Sequence, residues 1–395
     1  GTPSSSVLWC TTAKTSPFTA ADKVGYFVNT TGGTITVTLP ASPSAGDVVA
    51  IKDYAGTFQT NNVTIGRNSS KINGVCSDAI LSTKGDSIKL VYVDGTKGWI
   101  NVQTDDTVTG NLFVAATGGT ITESGDFKIH TFNSSSNFVV TSAGQPGGST
   151  TVDYLVLAAG GGGASGGGAA GGGGAGGHRF SFPNPATGGF SISEQSYPIT
   201  VGGGGAGGAF SPGSCLDGTP GGLSTFSTIT SAGGGGGLEN GPVPAGNGGS
   251  GGGGSYQTTC GGTGNTPPVS PPQGNNGGTG ALIASSNTSA GGGGGAGAVG
   301  VPGPSGVTGR AGTGGCGVAN SITGAAVTRG GGGNAYGQKS PGGPLIYAPT
   351  PSPGGGGASP AGAGGTNLGG GGGGNATGNG GAGGSGVVII RYKFQ

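Results

Sequence analysis

The stretch from residue 160 to residue 386 decides what this chain can become. It opens with GGGGASGGGAAGGGGAGG (residues 160–177) and closes with GGGGGGNATGNGGAGGSG (369–386), and similar runs return throughout. Glycine loses more conformational freedom on folding than any other residue, so such a field ordinarily reads as flexible linker. Its two edges argue otherwise. The field is entered from TTVDYLVLAAGGGG (150–163) and left through GSGVVIIRYKFQ (384–395). Both edges are rich in Val, Ile, Leu and Tyr, the composition of strands. A disordered insert would need no hydrophobic clasp at each end. The expectation is that 154–159 pairs with 387–392.

Three conformations compete for the field: a flexible linker, a collagen-like triple helix, and a bundle of polyglycine II helices. Collagen demands glycine at every third position. The runs here break that register, and the prolines lie mostly outside them. A polyglycine II thread is extended, left-handed and has three residues per turn, with no internal hydrogen bonds. Its buried N–H and C=O groups must still be paired. Without side chains, threads can approach closely and bond to one another on every side. Ordering each residue costs about 1–2 kcal/mol, and each inter-thread bond returns about 1 kcal/mol, so only a cooperative lattice holds. Occasional Ala, Ser or Asn can sit on its outward faces.

The rest of the chain reads as strands and turns. At 395 residues it should hold two or three domains. Residues 1–22 read as a connector with Trp9 and Phe18 as anchors. Over 23–104, VGYFVNT, GTITVTLP, DVVAIKDY, NNVTIGR, DSIKLVYVD and KGWINVQ alternate apolar and polar residues, or run briefly apolar, between Gly, Pro and Asn-Gly punctuation. Residues 105–111 read as a linker. Residues 112–159 with 387–395 read as a single β base, and 160–386 as a polyglycine II domain inserted between its last two strands. The fold class is all-β with a polyglycine II bundle and essentially no α-helix.

Residues 26–100 resemble a small β-module of tail-fibre proteins in tailed bacteriophages, especially marine and cyanobacterial ones. The likeness rests on TITVTLP, PSAGDVVAIKD, NNVTIGRN and LVYVDGTKGW, in that order. From residue 115 onward, the phrases DYLVLAAGGGG, YPITVGGGGAGG, STFSTITSAGGGGG and GGSGVVIIRY resemble the glycine-rich C-terminal domain of phage fibres, some of which carry polyglycine II adhesin tips. The resemblance implies an extracellular virion tail fibre that attaches the phage to its host. It also implies a homotrimer formed through the β-module, other fibre proteins as neighbours, and a bacterial surface glycan or outer-membrane protein as receptor. A structural fibre or decoration protein, a depolymerase tailspike and an ice-binding bundle are the rival readings.

Chemistry would live in the segments that interrupt the glycine runs: 178–201, 209–220, 238–247, 255–276, 301–329 and 334–353. They hold nearly all the field's aromatics and charges. Rigid aromatics beside adaptable Ser, Gly and Asn make a recognition surface, and function on loops set on a rigid scaffold is general. The candidate receptor-binding residues are Phe180, Phe182, Phe190, Phe210, Tyr256, Arg310, Tyr336, Lys339 and Tyr347. Packing over the lattice is the alternative role. It is favoured for Tyr197 and Phe226, and stands level with binding for Tyr256, Tyr336 and Tyr347.

Other classes find little support. The field's only acids are Glu194, Asp217 and Glu239 and its only histidine is His178. A glycosidase needs two carboxylates at a defined separation, and nothing in this spacing sets one, so no enzyme is expected. No cofactor or metal is called for: the five cysteines include no CxxC pair, although a Cys215–Cys260 bridge is one possible pairing. A net charge of +1 with 15 Lys plus Arg argues against nucleic acid. No run of about 18 apolar residues predicts a transmembrane helix. With no methionine and a start at Gly1, the expectation is that an N-terminal portion precedes this sequence.

Overall fold

The computed structural model describes residues 7–102, 113–144, 148–183, 189–211, 216–239, 246–256, 260–283, 287–304, 311–339, 345–347 and 350–395. Among them there is no α-helix. The chain divides into two compact units: Gly1–Ala115 with Thr141–Thr150 and Lys393–Gln395, and Ala116–Val140 with Thr151–Tyr392.

The first unit carries β1 (Leu8–Lys14), β2 (Phe18–Thr19), β3 (Val24–Val28), β4 (Ile35–Thr38), β5 (Val48–Asp53), β6 (Val63–Gly66), β7 (Ala79–Leu81), β8 (Ser87–Asp94) and β9 (Gly98–Asn101). Odd and even strands up to β6 fall in different sheets, ordered β1-β3-β5-β8-β9 and β2-β4-β6-β7. The pairings β1–β3, β3–β5, β2–β4 and β4–β6 are all parallel. The chain therefore coils, laying one strand in each sheet per turn, and β7 to β9 then close the coil with antiparallel pairs. Short strands with one inward face suit such a coil. In β4, Ile35 and Val37 are buried and Thr36 is exposed. Val28, Val37, Ile51, Phe58, Ile65, Leu81, Leu90 and Trp99 fill the space between the sheets.

This corrects the reading of residues 1–22 as a connector: from Leu8 onward they form the first turn of the coil. Trp9 lies flat over Gly25, where an added Cβ would stand 2.6 Å from the indole, and its ring centroid is 5.0 Å from that of Phe27.

The sequence boundary after Ala115 falls within β10 (Val114–Thr117). Beyond it come β11 (Thr120–Ser124), β12 (Phe127–Phe132), β13 (Ser136–Ala143), β14 (Thr151–Leu157), β15 (His178–Phe180), β16 (Phe190–Ser191), β17 (Ser196–Thr200), β18 (Ser224–Phe226) and β19 (Ile229–Ser231). Then follow β20 (Ala281–Ile283), β21 (Asn287–Ser289), β22 (Val318–Asn320), β23 (Val327–Arg329), β24 (Tyr336–Lys339), β25 (Leu345–Tyr347) and β26 (Val387–Lys393).

The expected clasp forms. β14 and β26 pair antiparallel, with Tyr154 opposite Ile390, Leu155 opposite Ile389 and Leu157 opposite Val387. Leu155, Val156, Leu157, Val388, Ile389 and Ile390 are all fully buried, each worth about 1.5–3 kcal/mol of apolar burial. The base is not one sheet, however. β26 sits between β12 and β14 in the order β11-β12-β26-β14-β15, while β13 pairs with β17, which leads on to β18 and β19. Strand phrases inside the glycine field thus complete a second sheet. The reason is local: SYPIT, STF and ITS bring the side chains that join Phe138 in an aromatic cluster with Tyr197 and Phe226. Both Tyr197 and Phe226 are buried, in the packing role favoured for them.

Between the sheets and the far end, the glycine runs form a lattice of extended threads. Thread 158–166 shows its logic. The N–H groups of Ala158, Gly161 and Ala164 donate to Gly177, Gly174 and Gly171, and those of Ala159, Gly162 and Ser165 donate to Gly222, Thr219 and Leu216. Those of Gly160 and Gly163 donate to Gly384 and Gly381. Partners change with every residue and recur every third, as three residues per turn require. The carbonyls obey the same rule. Gly234 and Gly237 donate to Ala159 and Gly162, Gly205 and Gly208 to Gly160 and Gly163, Gly372 and Asn375 to Gly161 and Ala164. Three neighbouring threads accept from this one and three donate to it, so it is enclosed on all sides. From Gly160 to Gly163 glycine is needed because each would-be Cβ points at a neighbour's carbonyl: 2.2 Å from Gly235 O at Gly161 and 2.0 Å from Ala206 O at Gly162.

Ala206, Ala382 and Asn379 sit outward, as such residues can, but others lie inside the lattice. Ala164, Ala169, Ala170, Ser165, Ser250 and Asn334 have no exposed surface. The alanines among them pack together where threads meet: Ala164 and Ala170 with Tyr336 and Ala376, and Ala169 with Ala290, Ala311 and Ala335. Polar side chains complete broken ladders. The Asn334 Oδ1 accepts from Gly314 N at 2.9 Å and from Ser352 Oγ at 3.0 Å.

Candidate functional site

Among the described residues the threads begin and end at two places. One is the strand base, where thread 158–166 leaves β14 and the following run 170–177 returns into β15. The other is a free end, where thread 158–166 turns back and where threads reaching Ala209, Glu239, Ser255, Gly280, Tyr336 and Asn375 terminate. The sequence reverses there because the glycine runs give way to Pro and aromatic residues too bulky to continue the lattice.

This free end gathers Phe210, Tyr256 and a small sheet ordered β20-β21-β24-β25. Phe210 is 38 % exposed, with its N–H held by Asn379 Oδ1 at 2.7 Å. Tyr256 is half-buried against the alanine cluster of Ala169, Ala290, Ala311 and Ala335. β24 and β25 form an antiparallel hairpin that places Tyr336 opposite Tyr347 in backbone register. Lys339 ends β24 and Tyr347 ends β25. Their side chains lie outside the described residues, as does Arg310. Tyr336 is 1 % exposed and sits among Ala164, Ala170 and Ala376. Its burial corrects its place among the surface candidates: its ring fills a gap between threads.

Three further candidates lie at the strand base. Phe180 and Phe182 pack against Ile129, Leu155, Leu157 and Ile389. The Arg391 guanidinium lies 4.4 Å from the Phe182 ring centroid and 4.0 Å from that of Phe127. Phe190 joins the aromatic cluster, 5.0 Å from Phe226. The nine sequence candidates are therefore not one site.

Spacing gave no sign of one pairing. At the free end, Glu239 N–H donates to Asp217 Oδ1 at 2.6 Å. The Glu239 side chain is 1 % exposed, its Oε2 has no hydrogen-bond partner, and its carboxylate rests against Gly166. Burial, and then the charge of Asp217, push its pKa up to about 8. Among the described residues its carboxylate is shut away from solvent. Glu194 is exposed on the turn before β17, at the other end of the threads. At the base, His178 is also buried, and desolvation followed by the charge of Arg329 lowers its pKa to about 4, so it is neutral at ordinary pH.

Among the described residues no group of three or more His, Cys, Asp or Glu comes together to hold a metal, and no helix is long and apolar enough to cross a membrane. Cys10, Cys76, Cys260 and Cys316 carry free thiols; the Cys215–Cys260 pairing falls on Cys215, which lies outside the described residues.

No curated protein matches the chain. A family model described as a glycine-rich domain matches residues 133–393, about two thirds of the chain, and the chain belongs to that family.

Proposed function

We propose that this chain is the distal part of a phage tail fibre and that it attaches the virion to a bacterial surface glycan or outer-membrane protein without catalysis. The observation that carries the reading is the two-ended lattice. One end is tied into sheets, and the other presents Phe210, Tyr256 and the β24–β25 hairpin on threads enclosed by hydrogen bonds. A rigid scaffold with variable segments at its free end is the economy of a recognition domain. The order of motifs over residues 26–100 supports the fibre assignment, with the coiled β-module as the site of trimer formation and of contact with other fibre proteins.

The test uses labelled full-length chain on a panel of bacterial strains. Binding to some strains and not others is expected. Phe210→Ala, Lys339→Ala and Tyr347→Ala should each lower retention on a binding strain while leaving the melting temperature in place. No strain bound, or full retention by all three variants, would sink the proposal.

A further inference from the structure

At the strand base, away from Phe210, a cavity of about 480 Å³ opens on the surface. Its walls come from four separate places in the sequence. β15 contributes Arg179, the β18–β19 hairpin contributes Thr228 and Thr230, and Leu223, Asn247 and Pro267 complete the rim. The orientation of Arg179 follows from strand alternation: His178 and Phe180 share one face, with ring centroids 5.0 Å apart, and Arg179 takes the other. Thr230 likewise faces out between the buried Ile229 and Ser231.

The floor is rigid. Gln273 is 1 % exposed, accepting from Ala232 N at 2.8 Å and donating to Pro267 O at 2.9 Å. The polar groups above it are mostly donors. Arg179 Nη1 donates to Thr230 O at 3.1 Å, which anchors one edge of the guanidinium and leaves its other N–H groups for a ligand. Asn247 Oδ1 accepts from Thr263 N at 2.7 Å, which turns its Nδ2 donor free. Among the described residues no acidic residue lines the cavity. Leu223, 49 % exposed, and Pro267 add an apolar wall.

We infer that this cavity is a binding site for a carboxylated saccharide, its carboxylate on Arg179, its hydroxyls on Thr228, Thr230 and Asn247, and its apolar ring face on Leu223 and Pro267. The volume falls in the range of small-ligand sites and exceeds what a lone inorganic ion requires. A guanidinium facing an acid-free, hydroxyl-lined wall selects an anion that also carries hydroxyl groups. This site is separate from the free end of the lattice, and its test needs no cell attachment, so either proposal can fail without the other.

Calorimetric titration of the full chain with a hexuronic acid trisaccharide tests it, beside the same trisaccharide with its carboxylates reduced to alcohols, and inorganic sulfate. The acid should bind at least about tenfold more tightly than the reduced sugar, and sulfate should compete weakly. Arg179→Met should lose about tenfold in affinity, and Thr228→Trp, which fills the mouth, should abolish binding; both should melt as wild type does. Equal affinity for acid and reduced sugar, undiminished binding by Arg179→Met, or sulfate binding as tightly as the trisaccharide would each overturn the assignment. So would failure of the acid to bind at all.

Discussion

Replacing Gly173 by alanine probes the lattice at its centre. A Cβ there would stand 2.2 Å from Gly161 O and 2.7 Å from Gly161 C. Ordinary contact needs more than an ångström of further separation. Thread 158–166 cannot yield freely, because neighbouring threads hold it on every side. Moving it from the run 170–177 would stretch Ala158 N–Gly177 O at 3.0 Å, Gly161 N–Gly174 O at 2.9 Å and Ala164 N–Gly171 O at 3.0 Å. A buried backbone group left without its partner costs about 1–3 kcal/mol, so three disturbed bonds imply at least about 3 kcal/mol. For a domain of this size that lowers the melting midpoint by about 6–12 °C. Gly203 is the control. It also sits in a thread, and its carbonyl accepts from Gly222 N at 2.9 Å, but nothing lies within 4 Å of its would-be Cβ. Gly203→Ala should be neutral, or stabilising by up to about 1 kcal/mol through the unfolded chain. Differential scanning calorimetry of both variants decides the matter. Equal midpoints for Gly173→Ala and Gly203→Ala would refute the steric argument.

Three other outcomes follow from particular side chains. Because the folded pKa of Glu239, about 8, is raised above its ordinary value of 4.5, the stability tied to its proton is full below about pH 4.5 and is lost as pH rises through about 8. Glu239→Gln should therefore gain on wild type by of order 5 kcal/mol across that window, and a stability difference that stays constant from pH 5 to pH 8 would contradict it. Ile389→Ala, in the β14–β26 clasp, should cost about 2–5 kcal/mol in denaturant melts; a loss below about 1 kcal/mol would show that the clasp does not hold the insertion. Tyr336→Ala should lower stability by about 3–5 kcal/mol without weakening cell retention at temperatures where it stays folded. A retention defect without a stability defect would return Tyr336 to the surface.

The sequence was most readable where one physical requirement dominates. VVIIRYK and TVDYLVL are β-branched runs too apolar to be left exposed, so their pairing was legible from the edges of the glycine field. The lattice was legible because no other packing asks for so many residues without side chains. Ala164, Ser165 and Asn334 were not, since whether a small side chain points outward or fills a gap depends on which thread lies beside it, and that is set by turns far away in sequence. β1 was missed because LWCTTAK has weak apolar alternation, and its strand character comes from lying parallel to β3. The cavity at Arg179 carries no local signature at all: its lining is assembled from four segments whose residues look like ordinary turn chemistry. Phe180, Phe182 and Phe190 looked like ligands for the same reason that Phe226 did not. They stand among turn residues, yet the strand base reaches out to cover them.

Amide hydrogen exchange over residues 158–177 tests the central claim most directly. These residues form no strand ladder over most of their length, and a flexible glycine tract would exchange at the rate of an unstructured peptide. If each N–H is bonded to a neighbouring thread, exchange from 158 to 164 and from 170 to 177 should require opening of the whole lattice, with protection equal to that of the β14–β26 pair. Exchange of this segment at random-coil rates while β14 and β26 stay protected would contradict the account.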